Sequence, residues 1–340
     1  MSVSLAVKYR PKTFDEVVEQ SATKVILKQQ LESGDIKNAY LFCGGAGTGK
    51  TTTARIFANE INKGKGNPVE LDAASNNSVD DARDIIKQAK LTSLEGEYNI
   101  FILDEVHALS NQAWQAMLKV LEEPPAKSIF IMCTTDPQRI PKTILSRVQR
   151  YNFQRISQSG IETRLATILS EENLGGDTKE ECAKKEEAIV FIAKQSQGGM
   201  RDAITMLDKC LAYSTDLTIE NVVKALGMSD YDTMCKFLSA VIDVDNTSQI
   251  EIINQVYMSG KDLKQFIKDF TNFVTDCCKY HLNAEKYMSC PDTDEIIKVF
   301  KRVYLDDGTK LLNSLVRLQT DIKWDTNPLA RVEAWCITKE

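Results

Sequence analysis

The stretch Gly44-Gly45-Ala46-Gly47-Thr48-Gly49-Lys50-Thr51 lies between the apolar run Ala39-Tyr40-Leu41-Phe42-Cys43 and a helix-compatible segment, and it decides the fold. Glycines recur where backbone N–H groups must curl around phosphate oxygens and a β-carbon would obstruct the approach. A strand before and a helix after are the context the pattern requires. Lys50 supplies a point charge to the phosphates and the Thr51 hydroxyl a ligand to Mg2+. The segment Gly44 to Thr52 is therefore the predicted phosphate-binding loop of a nucleoside triphosphate site.

Working outward, the next apolar strand is Tyr98-Asn99-Ile100-Phe101-Ile102-Leu103, which ends in Asp104-Glu105. An acidic pair at this distance suits phosphate chemistry. Asp104 would hold the magnesium ion indirectly, and Glu105 would orient or deprotonate the attacking water.

The 340 residues, 43% hydrophobic and 26% charged, suit a globular chain of two or three domains. The N-terminus lacks the layout of a signal peptide, and no apolar run approaches the roughly eighteen residues of a membrane helix, so a cytoplasmic setting without membrane contact is expected. Nine cysteines without a C-x-x-C pair, and only His107 and His281 as histidines, favour buried reduced thiols over a zinc site or disulfides. The net charge of −6 is uneven: residues 1–158 carry 20 basic and 18 acidic side chains, the remainder 22 and 30. Such acidity argues against a tight autonomous nucleic-acid binder, but not against one that grips DNA within an assembly.

Strand-like and helix-like runs alternate from Ala39 to about Phe153, the pattern of a parallel sheet covered by helices. Strands are expected at Ala39–Cys43, Val69–Leu71, Ile100–Leu103, Ser128–Thr134 and Val148–Phe153, and helices over Lys50–Asn62, Val79–Ala89 and Gln112–Glu122, the last capped by Ser110. Met117, Trp114 and Leu118 are read as core. Beyond residue 158 apolar residues recur at helical spacing, with a break near Gly227-Met228-Ser229. The expected division is an α/β nucleotide-binding domain over 1–158, a helical lid over 159–227 and a helical collar over 228–340.

Several further motifs make the chain resemble the motor subunit of the bacterial replicative clamp loader, the gamma/tau subunit of DNA polymerase III, among the AAA+ ATPases. They are Val7-Lys8-Tyr9-Arg10-Pro11-Lys12-Thr13-Phe14-Asp15-Glu16-Val17-Val18, Leu71-Asp72-Ala73-Ala74-Ser75-Asn76-Asn77, Asp104-Glu105-Val106-His107 and Leu121-Glu122-Glu123-Pro124-Pro125. The resemblance implies that ATP is the nucleotide and that Tyr9, Arg10 and Val18 lie on its adenine side. It implies that Thr135, with Thr134 the alternative, is a hydroxyl sensor of γ-phosphate. Arg201 is implied as the lid arginine acting in cis, and Arg147 of Ser146-Arg147 as an arginine supplied in trans to a neighbour. A guanidinium suits both roles because its fixed fork of donors matches a phosphoryl group.

The chain departs from that pattern in three places. Asn59 to Pro68 crosses without the family's four-cysteine zinc module, so no zinc site is expected. Val148 and Glu19 stand where the family usually has cysteine and glycine. The third departure is the end at Glu340, without the tau extension, which suggests a compact loader of viral or mobile-element origin in a bacterial host, or a trimmed chain.

The implied activity is ATP-driven opening of a sliding clamp and its loading onto primer–template DNA, by copies of the chain or partner subunits in a ring or spiral, which the resemblance implies is pentameric. Five basic residues and no acidic one between Pro137 and Gly160 (Arg139, Lys142, Arg147, Arg150, Arg155) form either an interface strip or an ordinary basic surface. The helix beginning near Asn77-Ser78 is the candidate for DNA contact. Two other readings share the ATPase core: a branch-migration or unwinding motor, which would need a strand-built wing after the lid, and an ATP-binding scaffold, against which intact Lys50, Glu105 and Arg147 argue.

Overall fold

The computed structural model describes residues 3–91, 96–174, 178–227, 231–291 and 293–338. Met228 and Ser229 of the expected break lie outside them. Two compact units divide the chain: Met1–Asn173 with Ser196–Asp208, and Leu174–Gln195 with Lys209–Glu340.

The first unit opens with helices α1 (Leu5–Lys8) and α2 (Ser21–Ser33), followed by strand β1 (Ala39–Cys43) and helix α3 (Lys50–Ile61). Then come β2 (Val69–Asp72), α4 (Val79–Ala89), β3 (Asn99–Asp104), α5 (Asn111–Glu122), β4 (Ser128–Thr134), the single turn α6 (Lys142–Leu145) and β5 (Gln149–Asn152). The five strands form one parallel sheet in the order β2-β3-β4-β1-β5. Each strand lies within one or two residues of its expected span. Alternation along β1 sends Ala39, Leu41 and Cys43 to the face covered by α4 and α5, and Tyr40 and Phe42 to the face covered by α2 and α3. Trp114 and Met117 sit in the first of these cores and Leu118 packs against it. Fully burying a Phe57 or a Leu27 contributes roughly 1.5–3 kcal/mol, so the two cores hold the strand ends in fixed register.

Ser110 caps α5 by accepting the Ala113 N–H at 3.2 Å, as its place before the apolar run predicts. Ser78 and Asp81 form a reciprocal capping box at the start of α4.

Helix α7 (Gln158–Glu171) and the first half of α9 (Met200–Tyr213) belong to the sheet unit, while α8 (Lys179–Gln195) and α10 (Ile219–Leu226) belong to the second. The compact units thus group α7 and the start of α9 with the sheet. The physical reason is long-range bonding that sequence patterns do not display. The Leu5 N–H donates to Asp208 Oδ2 at 3.1 Å, and Arg164 Nη2 donates to the Tyr9 carbonyl at 3.0 Å.

The second unit continues with α11 (Tyr231–Ile242), α12 (Asn246–Met258), α13 (Leu263–His281), α14 (Asp294–Phe300), α15 (Leu305–Ile322) and α16 (Pro328–Thr338). Its core gathers Phe237, Phe266, Phe270, Phe273, Phe300 and Trp335 around α13. Among the described residues beyond Asn152 every helix or strand is a helix.

Candidate functional site

The phosphate loop links β1 to α3 with no room to spare. A β-carbon at Gly44 would collide with the Phe153 carbonyl. Gly47 has φ +69°, and a β-carbon there would meet Gly199 Cα at 3.0 Å. The Gly47 carbonyl accepts the Met200 N–H at 3.0 Å, which ties the loop tip to the start of α9. Lys50 is 6% exposed, and its ammonium donates to the carbonyls of Gly44 at 3.0 Å and Gly45 at 2.8 Å. Because the Thr53 N–H is the first amide to reach back, to Gly49 at 2.8 Å, the N–H groups before it point out of the helix end. They form a site for an anion.

The parallel register of β3 beside β4 brings the acidic pair to the same end of the sheet. Thr51 Oγ1 donates to Asp104 Oδ2 at 2.8 Å, joining α3 to the end of β3. A hydroxyl and a carboxylate this close are the hard oxygen donors that fit Mg2+, and Thr51 and Asp104 would hold it. Glu105 takes a left-handed backbone, φ +49°. Its Oε2 accepts from the Thr135 hydroxyl at 2.8 Å and the Thr135 N–H at 3.2 Å. Thr134, fully buried, instead faces His107, whose Nδ1 lies 3.2 Å from its Oγ1.

A cavity of about 380 Å³ lies over the loop, within the size range of small-ligand sites. Of the residues singled out in the sequence, Ala46, Gly47, Thr48, Gly49, Lys50, Thr51, Thr52, Asp104, Glu105, Tyr9, Arg10, Val18 and Arg201 line it. Gly44, Gly45, Thr135 and Arg147 do not. The two glycines instead hold Lys50 through their carbonyls, and Thr135 reaches the cavity only through Glu105. Arg147, past the end of α6, ion-pairs with Glu122 at 2.6 Å and donates to the Thr143 carbonyl at 2.6 Å.

Sequence reasoning missed Arg55, Arg164, Ile156 and Ile204 in the cavity wall. Arg55, four residues after Thr51 on α3, was detectable from helical spacing alone. It ion-pairs with Glu70 on β2. Burial holds the Arg10 guanidinium below its ordinary value, and the nearby charges of Arg55 and Arg201 push it the same way. With Arg164, four guanidiniums therefore share this cavity, an arrangement suited to a polyanion. On the wall contributed by α1, the Tyr9 hydroxyl donates to Glu172 at 2.6 Å and Lys8 binds the same carboxylate. Hydrogen bonds from Lys8 and then Tyr9 hold the Glu172 carboxyl below its usual range.

Among the described residues no group of three or more His, Cys, Asp or Glu is arranged to hold a metal. Across the Asn59–Pro68 segment, the Asn62 amide clasps Tyr98 instead, donating to its carbonyl at 3.0 Å and accepting its N–H at 2.9 Å.

Two family models match this chain: DNA polymerase III, delta subunit, over residues 69–157, and DNA polymerase III clamp loader subunit, ATPase lid domain, over 160–216. The DNA polymerase III subunit tau of Bacillus subtilis is 32% identical over 345 residues, covering 94% of the chain. The chain is a homologue of the DNA polymerase III tau/gamma subunits. The tau subunit of Escherichia coli is likewise 32% identical, over 75% of the chain. This tau/gamma homologue spans 60% of the Bacillus subunit and 42% of the Escherichia one. Its fold is that of the AAA+ ATPases. The Thermotoga maritima RuvB Holliday junction branch migration motor superposes with a TM-score of 0.52 at 20% identity, over 76% of this chain and 88% of that one.

Proposed function

We propose that the chain hydrolyses ATP as the motor subunit of a clamp loader, which opens a sliding clamp and sets it on primer–template DNA. The observation that carries this reading is the convergence of Lys50, Thr51, Asp104, Glu105 and Arg201 on one cavity while Arg147 stands outside it. An arginine outside its own chain's site, held here by Glu122 and the Thr143 carbonyl, can serve a neighbour's by exchanging those partners.

In this mechanism Lys50 and the N–H groups of the loop hold the β- and γ-phosphates. Glu105 takes a proton from water as the water oxygen bonds to Pγ and the bond from Pγ to the bridging oxygen breaks. ADP and phosphate leave. Bound Mg2+ would neutralise charge on the β- and γ-phosphates, and Thr51 and Asp104 would hold it. Arg201 reads the γ-phosphate from within the chain, and Arg147 reaches the neighbour's nucleotide. Homology to tau/gamma subunits supports a multi-subunit partner set of copies or other loader subunits in a pentameric ring, acting in the cytoplasm, with residues 159–227 as lid and 228–340 as collar. DNA contact is assigned to the start of α4. RuvB likeness bears on the fold alone, and the all-helical region after Asn152 offers no strand-built wing among its described residues.

The test is ATP turnover and clamp transfer to primed circular DNA, with native chain and with Arg147→Ala after both are shown to bind ATP. Loss of at least about 100-fold in turnover by the variant, at unchanged ATP affinity, is expected of an arginine acting in trans. Native-like turnover in the variant overturns that role. Turnover without transfer of the clamp, in the presence of partner subunits, overturns clamp loading.

A further inference from the structure

We propose that His107 is a positioning residue for Glu105, fastening one carboxylate oxygen so that the other takes the proton of the attacking water. The inference rests on the reading of Glu105 as general base, and nothing in the sequence patterns assigned His107 a part in it.

The local backbone delivers this histidine. After β3 the left-handed Glu105 reverses the chain into a 3-10 turn over Val106–Ala108, closed by the Ala108 N–H to the Glu105 carbonyl at 2.9 Å. A left-handed conformation costs a non-glycine residue about 1 kcal/mol or more and persists where surrounding contacts over-determine it. The turn folds His107 back beside its own neighbour, against the end of β4. Its Nδ1 then lies 3.1 Å from Glu105 Oε2 and 3.2 Å from Thr134 Oγ1.

Chemistry specifies which atom carries the hydrogen. A ring nitrogen presenting its lone pair to a carboxylate oxygen at that distance would repel it, so Nδ1 is the protonated nitrogen. Thr134 Oγ1 accepts the Asp136 N–H at 3.0 Å and is fully buried, so it backs the imidazole from a fixed point. Glu105 Oε2 thus accepts from the Thr135 N–H and the Thr135 hydroxyl, and His107 Nδ1, hydrogen-bonded to Thr134 Oγ1, flanks the same oxygen at 3.1 Å. All of these contacts fall on Oε2, and in the proposed role Oε1 is the oxygen that takes the proton. The end of β4 grips the base twice, directly through Thr135 and through His107 by way of Thr134. A base held on one oxygen has a single productive orientation, and misplacing a catalytic group by about 1 Å costs on the order of 100-fold.

Two amides separate this role from mere space-filling. In His107→Asn the side-chain amide occupies the place of Nδ1, whereas in His107→Gln it occupies that of Nε2, although glutamine matches histidine better in length. With the chain in the assembly that turns over ATP, kcat, ATP affinity by calorimetry and melting temperature are measured for His107→Asn, His107→Gln, His107→Ala and Glu105→Gln. Expected are kcat within about threefold of native for Asn, and losses of about 10- to 100-fold for Gln and Ala at ATP affinities within about twofold. Native-like kcat in His107→Ala overturns the proposal, as does an Asn variant no better than Gln while both melt like native. Native-like turnover in Glu105→Gln instead removes the general-base reading beneath it, an outcome the His107 variants alone would not produce.

Discussion

Replacing Thr51 by valine exchanges one hydroxyl for a methyl at nearly constant volume, and so isolates the bond from Thr51 Oγ1 to Asp104 Oδ2 at 2.8 Å. A hydrogen bond to a charged group contributes about 1.5–3 kcal/mol, and the half-buried position of Thr51 puts this one near the lower end. Asp104 retains the Glu105 N–H on its Oδ1 at 3.1 Å, so the carboxylate is not stranded. The fold should therefore lose only about 1.5 kcal/mol, a few degrees of melting temperature for a unit of this size. Binding in the presence of magnesium loses more, because one of the two protein oxygens offered to the ion is gone. An equivalent of about 1.4–2.8 kcal/mol weakens Mg-ATP binding about 10- to 100-fold. Calorimetric titration of ATP in excess magnesium and again in EDTA reads the difference. The variant should match native within about threefold in EDTA and fall behind only with the metal. Equal losses in both buffers would refute the assignment of Thr51 and Asp104 as the magnesium pair and leave the hydroxyl a purely structural group.

Gly47→Ala forces a β-carbon into a left-handed residue 3.0 Å from Gly199 Cα, so stability should drop by about 1–2 kcal/mol in urea titrations and ATP affinity should fall with it. In the helical unit Asp276, 2% exposed, accepts the N–H groups of Ser289 at 2.7 Å and Cys290 at 2.9 Å and the Lys279 ammonium at 2.7 Å. Asp276→Ala leaves the Ser289 and Cys290 N–H groups unanswered, while Lys279 keeps the Tyr287 carbonyl, and should cost about 3 kcal/mol, read as a lower urea midpoint; an unchanged midpoint contradicts the buried network. Burial raises the thiols of Cys210 and Cys235 to about 11 and of Cys277 to about 12, from an ordinary value of 9.0. The raised folded value means that this contribution to stability is whole below pH 9 and is lost as pH climbs through 11 to 12. Urea midpoints measured between pH 8 and 11 should decline over that window and do so less in a Cys277→Ala, Cys210→Ala double variant.

The phosphate loop and the acidic strand end were legible because both are local: glycines, a lysine and a hydroxyl at fixed offsets, and an apolar strand closing on Asp104-Glu105. The Ser110 cap and the core places of Trp114 and Met117 were legible for the same reason, since 3.6-residue periodicity and capping chemistry act over a few residues. Arg55 was within reach of that reasoning and was missed. Glu172 was not, because no periodicity connects it to Tyr9, 163 residues away. Nor did composition reveal that α7 and the first half of α9 group with the sheet, which depends on Asp208 meeting the Leu5 N–H and Arg164 meeting the Tyr9 carbonyl.

By itself the sequence determined that this chain carries a glycine-rich loop on a parallel α/β sheet followed by helices, because backbone conformation and burial follow from short-range pattern. Only the tertiary structure decided which side chains meet. Thr51 finds Asp104 across 53 positions and Thr135 finds Glu105 across 30, because parallel strands in fixed register end on one edge of the sheet. His107 joins them through a left-handed turn at Glu105. Hydrogen bonds act over about 3 Å, so their partners are set by the packing of whole elements rather than by neighbours along the chain.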